Sequence, residues 1–174
     1  MRGPASNAPI HEGSQAQPGF DAFYDTEWSE LVRLAWAFTG RMDVAEDLVR
    51  EALLLAHQQW DRVVAHHVPK AWVRQALFNR CMSRRRRFDA EIRSLLRLGR
   101  RRRSEPVIEA WEGDVWYGVR RLPPRQRQLI LLVYLEDRTP SQAASILGIG
   151  EATASTQLRR ALVKLSDIFW GAVP

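Results

Sequence analysis

The chain has 174 residues, 45 % of them apolar, one cysteine (Cys81) and a formal net charge of +6. That length allows one large domain or two small ones. A single thiol excludes an internal disulfide framework, makes a reduced, cytoplasmic setting the default and reads as a small buried residue. The charge is uneven: residues 1–83 carry net −2, residues 84–103 net +8 and residues 104–174 net zero, so one short basic block points to nucleic acid or another polyanion.

In chain order, residues 1–19 are mainly small and polar with one large aliphatic, Ile10. They read as a disordered tail, because such a composition buries too little surface to fold. From Phe20 the apolar residues Phe23, Tyr24, Trp28, Leu31, Leu34, Ala35 and Phe38 recur at helical steps until Gly40. Asp43 followed by Glu46 resembles a capping box. The next helix should bury Ala45, Leu48, Val49, Ala52, Leu53 and Ala56, and show Glu46, Asp47, Arg50 and Glu51 outward. Residues 61–68 read as a loop. Pro69 then starts a third helix with Val73, Ala76, Leu77 and Cys81 inward. Its Lys70, Arg74, Gln75, Phe78 and Asn79 should lie mostly outward, with Trp72 open to either side. Cationic and aromatic side chains on one helix suit unpaired nucleic acid, where bases stack on rings while cations track phosphates; the same rings could instead be core.

Residues 88–106 read as a partly helical, basic linker, too short to be a domain. Val107, Ile108, Trp111, Val115, Trp116 and Val119 then mark a further amphipathic helix, and the sequence LPP at 122–124 starts another whose QLILLVYL run should be largely buried. Thr139 is placed to cap a short helix beginning at Pro140, and Gly148 to end it. A second helix starts near Glu151 with an inward stripe of Ala154, Leu158, Ala161, Leu162 and Leu165. Its other face carries Ala152, Ser155, Thr156, Arg159 and Arg160. A short helix, a glycine turn and a second helix with a polar, basic outer face form a helix-turn-helix pattern, which an ordinary helical hairpin shares.

Features of other classes are missing from the sequence. The longest apolar run, residues 129–135, is too short to cross a bilayer, and no apolar leader precedes the first helix. There is no glycine-rich phosphate loop and no nucleophile motif. His11, His57, His66 and His67 lack cysteine or carboxylate partners at zinc spacing. No catalytic role, metal, cofactor or membrane insertion is expected.

Two motif blocks carry a family resemblance. FTGRMDVAEDLVREALL, followed by WDR and PKAWVRQALFNRCMSRRRR, comes first; LPPRQRQLILLVYLEDRTPSQAASILGIGEATASTQLRRAL comes second. Together they resemble the extracytoplasmic-function sigma factors of bacterial RNA polymerase over about residues 20–170. The resemblance implies an all-α protein of two small helical domains, a region 2 bundle (residues 20–87) and a region 4 helix-turn-helix domain (107–174), joined by a basic flexible linker (88–106). It implies binding to core polymerase through the helix bearing Asp47, Arg50 and Glu51. It implies reading of the minus-ten promoter element by Lys70, Trp72, Arg74, Gln75 and Asn79. The minus-thirty-five element would be read by Glu151, Ala152, Ser155, Thr156, Arg159 and Arg160. An anti-sigma partner is usual in the family.

The chain departs from the family pattern at several positions. Arg50 stands where glutamine is usual, and Val133 where arginine is common. In the recognition helix Gly150 replaces serine, Ala152 glycine, Ala154 valine and Ser155 a cation. Losing that cation should lower duplex affinity and its salt dependence. Two other readings use the same motifs: a stand-alone helix-turn-helix regulator, and a polymerase-binding module that no longer reads DNA well. A regulator would need a ligand pocket or dimer face in the N-terminal bundle; the acidic second helix and basic, aromatic third helix fit a sigma factor instead.

Overall fold

The computed structural model describes residues 19–66, 68–97 and 115–171. Their regular structure is helical throughout: α1 (Phe20–Thr39), α2 (Met42–Gln58), α3 (Trp60–Ala65), α4 (Pro69–Arg97), α5 (Val115–Arg121), α6 (Pro124–Ile130), α7 (Pro140–Leu147) and α8 (Glu151–Trp170). A single π-helical turn, Leu131–Leu135, continues α6. The expected N-terminal tail, and the segment joining the two halves at 98–114, lie outside the described residues.

In the N-terminal half, α1 ends at Gly40, whose φ of 77° lets its N–H return to the Trp36 carbonyl at 2.7 Å. The α2 stripe of Val44, Ala45, Leu48, Val49, Ala52, Leu53 and Ala56 is buried as its spacing requires. The capping box expected from Asp43 and Glu46 does not form. The helix begins at Met42 with Arg41 as N-cap, so Asp43 sits inside the first turn and pairs with Arg41 at 2.5 Å. There its negative charge still faces the positive helix end. The loop expected over 61–68 is instead largely occupied by α3, because Trp60 and Val63, three residues apart, both reach the core.

Two of the third-helix expectations are corrected as well. Phe78 is buried edge-on against Phe38, with ring centroids 5.9 Å apart, and Arg74 is buried rather than outward. The helix runs on to Arg97, which accounts for the helical part of the stretch read as a partly helical linker. At 29 residues it spans about 44 Å.

In the C-terminal half the helix-turn-helix forms as its chemistry dictates. The Thr139 hydroxyl accepts from the Gln142 N–H at 3.2 Å, while the Gln142 side chain accepts from the Thr139 N–H at 3.0 Å, a full capping box. Gly148, at φ 63°, makes the turn into α8. Ala144, Ala154 and Ala161 are buried where α7, α8 and their neighbours meet, and Leu158 and Leu165 are half-buried. Leu162, expected in the same stripe, is 41 % exposed. It follows Ala161 by one residue, a rotation of about 100° that carries it off the packed face. The π turn has a similar effect upstream: Leu131 and Leu132 are buried, but Tyr134 is turned outward.

The halves pack directly on each other. α1 meets α5, α4 meets α7, and the buried apolar residues of both halves form one continuous core.

Candidate nucleic-acid and polymerase interface

Three separate surfaces carry the residues singled out from the sequence. On α2, Asp47, Arg50 and Glu51 are all exposed. Arg50 pairs with Glu46 at 2.8 Å and Asp47 at 3.1 Å, and its guanidinium lies 5.5 Å from the Trp28 ring centroid. The arginine is thus held flat along the helix, leaving an ordered face of alternating charge. Glu51 lies 3.8 Å from Arg80 of α4.

On α4, Gln75 and Asn79 are exposed and Trp72 is half-buried. Trp72, Gln75, Asn79, Arg80 and Ser83 line a cleft of about 310 Å³ with Leu55 at its side. An aromatic wall with amide and cationic groups around it is the chemistry that holds an unstacked base. The Lys70 side chain is 46 % exposed, but its Nζ reaches the buried Glu27 at 2.5 Å. Arg74 departs most from expectation. Its Nη1 donates to Glu27 of α1 at 2.7 Å, its Nη2 to Glu30 at 3.0 Å, and its Nε to Glu136 beyond the π turn. Burial would lower the Arg74 pKa, but its hydrogen bonds to the carboxylates of Glu136 and Glu27 raise it above the ordinary arginine value. Burial likewise opposes the charge on Glu27, yet bonds from Lys70 and Arg74 outweigh it and bring that carboxyl below its usual range. In this arrangement Arg74 is an internal ion-pair centre and does not face solvent.

Near residue 85 the α4 arginines border a larger groove of about 560 Å³, whose rim includes Arg80, Arg84, Arg85 and Arg87 and whose inner wall includes Phe38 and Arg127. Sequence reasoning missed Arg127. It is buried, donates from Nη1 to the Phe38 carbonyl at 2.6 Å and from Nη2 to the Arg120 and Leu122 carbonyls, and lies 5.0 Å from the Phe38 ring centroid. Burial pulls its pKa down to about 10, with Arg85 and Arg120 nearby adding to the effect, so it remains charged at neutral pH. No local pattern announces such a residue; only its place in an otherwise buried run, 126–132, hints at it. Cys81, expected to be a small buried residue, is buried, and burial pushes its thiol up to about 12.

On α8, Glu151, Ala152, Ser155, Arg159 and Arg160 are exposed and Thr156 is half-buried. Ala154 is buried beneath the first turn, and Glu151 and Ala152 stand exposed on it. The exposed residues therefore form one ridge, open at the end from which helix-turn-helix proteins read bases. Among the described residues no group of His, Cys, Asp or Glu could hold a metal ion, and no helix is long and apolar enough to cross a membrane.

Residues 115–165, which run from α5 through most of α8, match the family described as sigma-70, region 4. The extracytoplasmic-function RNA polymerase sigma factor SigM of Mycobacterium tuberculosis is 25 % identical over 154 residues, covering 86 % of this chain and 76 % of that protein. The chain is thus similar to sigma factors of the extracytoplasmic-function type, and its residues 115–165 match the sigma-70 region 4 family. In fold, the chain matches the sigma factor RpoE from Bartonella quintana, solved in complex with the anti-sigma factor NepR. The TM-score is 0.72 at 24 % identity, covering 88 % of this chain and 98 % of that one. A further similarity, TM-score 0.58 at 15 % identity, is to the anti-anti-sigma factor PhyR complexed with NepR from the same organism, of which half is covered. The family match lies on the helix-turn-helix half, and the SigM similarity, extending over 86 % of the chain, brings in the bundle that carries α2 and α4.

Proposed function

We propose that the chain acts as a dissociable subunit of bacterial RNA polymerase that directs promoter recognition and transcription initiation. The observation that carries this reading is one chain holding both an exposed, charge-ordered α2 and a helix-turn-helix with a free reading edge, matched to a curated sigma factor along most of its length. A stand-alone regulator would need no such α2 face and no cleft for an unpaired base.

In this reading α2 docks on the polymerase through Asp47, Arg50 and Glu51. The cleft at Trp72, Gln75 and Asn79 takes an unstacked minus-ten base, with Lys70 near the phosphates. Glu151, Ser155 and Thr156 face minus-thirty-five base edges, because the N-terminal part of the second helix enters the major groove. Arg159 and Arg160, further along, suit phosphates. The B. quintana similarity supports an anti-sigma factor as a regulatory partner, and a subunit of bacterial RNA polymerase would act in the cytoplasm. The test is run-off transcription with core polymerase on genomic promoter fragments. Discrete start sites that depend on the added chain are expected; binding of the same fragments without polymerase, and no transcripts with it, would favour the regulator.

A further inference from the structure

The groove of about 560 Å³ beside α4 takes no part in the promoter reading above. Its α4 wall is one helical face: Arg80, Arg84, Arg87 and Glu91 recur at steps of three and four residues, with Phe88 and Ile92 alongside. The end of α1, the α2 residues Val44 and Leu48, and Arg127 of α6 supply the rest of the lining. Val44 and Leu48 are buried and Phe88 and Ile92 half-buried, so part of that lining is apolar.

The charges around it do not balance. Six arginines line the groove against three carboxylates. Two of those carboxylates are already engaged: Glu51 lies 3.8 Å from Arg80, and Asp89 3.8 Å from Arg85. Arg84 and Arg87 are exposed and form no ion pair among the described residues. Arg127 is only 6 % exposed, yet its hydrogen bonds go to three neutral carbonyls, and its buried Nε has no acceptor among the described residues. The charged side chains that act on it most, Arg85 and Arg120, are cations as well. A buried charge without a counter-ion is costly, and a multivalent anion in the groove offsets that cost.

We propose that this groove binds a small phosphate-bearing molecule with a flat apolar ring, a nucleoside polyphosphate in its chemistry. The phosphates lie against Arg84 and Arg87, whose guanidinium groups donate charge-assisted hydrogen bonds, in the field of Arg127. The ring lies on Phe88 and Ile92. The volume fits, since sites of about 300–1,000 Å³ take ligands of that size. Duplex DNA is the poorer occupant: its phosphates stand on a stiff rod that reaches the exposed rim arginines but not Arg127 on the inner wall. The site rests on the groove's own lining and is independent of the sigma-factor reading.

Isothermal titration calorimetry on the full chain tests it, at about 0.15 M salt, where charges more than about 8 Å apart are screened. ATP should bind one-to-one and more tightly than pyrophosphate. Arg84→Gln/Arg87→Gln should weaken ATP binding about tenfold or more, as loss of charged hydrogen bonds does. Arg86→Gln/Arg93→Gln removes the same charge from exposed α4 residues that do not line the groove and should stay within about twofold of the wild type. Phe88→Ala should weaken ATP about fivefold or more, as loss of a stacking ring does, and spare pyrophosphate. Helical circular dichroism checks that each variant is folded; the two arginine pairs, all exposed, carry the test by themselves if Phe88→Ala is not. No saturable ATP binding, or equal losses in the two arginine pairs, would overturn the site. Pyrophosphate binding as tight as that of ATP would overturn the nucleotide assignment.

Discussion

Ser155 and Arg159 lie one turn apart on the exposed side of α8, and they separate reading from holding. A lysine at 155 would restore a cation where the family usually has one, so Ser155→Lys should tighten duplex binding several-fold and raise the salt slope by about one unit. Arg159→Ala should weaken specific and scrambled duplexes by a similar factor, as loss of a phosphate contact does. Both are read from one salt titration by fluorescence anisotropy; a Ser155→Lys curve that overlays the wild type would remove α8 from the groove. Glu27 gives a residue-scale prediction for stability. It is fully buried between Arg74 and Lys70, so Glu27→Gln should cost about 3 kcal/mol at neutral pH, as breaking a buried pair does. Its folded pKa lies below the ordinary value, so the stabilisation is complete above the unfolded pKa of about 4.3 and is lost as pH falls through the lower folded value. Urea unfolding at a series of pH values should show the difference between the two proteins constant above about pH 5.5 and shrinking below about pH 4. A gap that stays constant into acid would mean the carboxylate charge contributes nothing.

At the scale of single elements, α7 depends on its start. Thr139 and Gln142 satisfy each other's backbone N–H groups, and an eight-residue helix has few other bonds to lose. Thr139→Ala should therefore cost about 1 kcal/mol, seen as a lower midpoint in thermal unfolding and as faster hydrogen exchange confined to α7 and the turn. If the turn exchanges no faster, tertiary packing of Ala143, Ala144, Ile146 and Leu147 alone holds the helix. For α2 the prediction concerns its outer face. Asp47 and Glu51 are exposed and reversing them leaves the buried stripe intact, so Asp47→Lys/Glu51→Lys should keep its melting temperature within a few degrees, as surface changes usually do. Co-purification with core polymerase should drop at least tenfold. Retention of binding would place the docking surface elsewhere on the bundle.

The whole molecule combines a neutral helix-turn-helix half with a strongly basic stretch between the halves. Residues 84–103 carry net +8, and the α4 part of that stretch borders the groove containing Arg84, Arg85 and Arg87. Charge of this density attracts duplex regardless of sequence. Replacing Arg100, Arg101, Arg102 and Arg103 by glutamine should flatten the salt dependence of promoter-complex formation while leaving the preference between promoter and scrambled DNA unchanged. A filter-binding series at several salt concentrations checks it; an unaltered slope would reduce these arginines to solvated charge.

What the sequence by itself determined is what depends on neighbours three or four residues away. The 3.6-residue spacing of Leu48, Val49, Ala52 and Leu53 decided which side of α2 is buried and left Asp47, Arg50 and Glu51 outward. Thr139, Pro140 and Gly148 decided where α7 begins and ends. The order of two motif blocks pointed to the family. What only the tertiary structure decided is the fate of polar side chains at positions where one helix meets another half of the chain. Arg74 occupies a helical position that reads equally well as a DNA-facing cation, and it is buried because Glu27 and Glu30 from α1 and Glu136 from beyond the π turn converge on it. Arg127 is buried because α6 brings it beneath the carboxyl end of α1, 89 residues away in sequence. Phe78 and Leu162 exchanged their expected environments for the same reason: helical periodicity gives a direction around the axis, but the distance at which another helix stops along that direction is set by contacts remote in the chain.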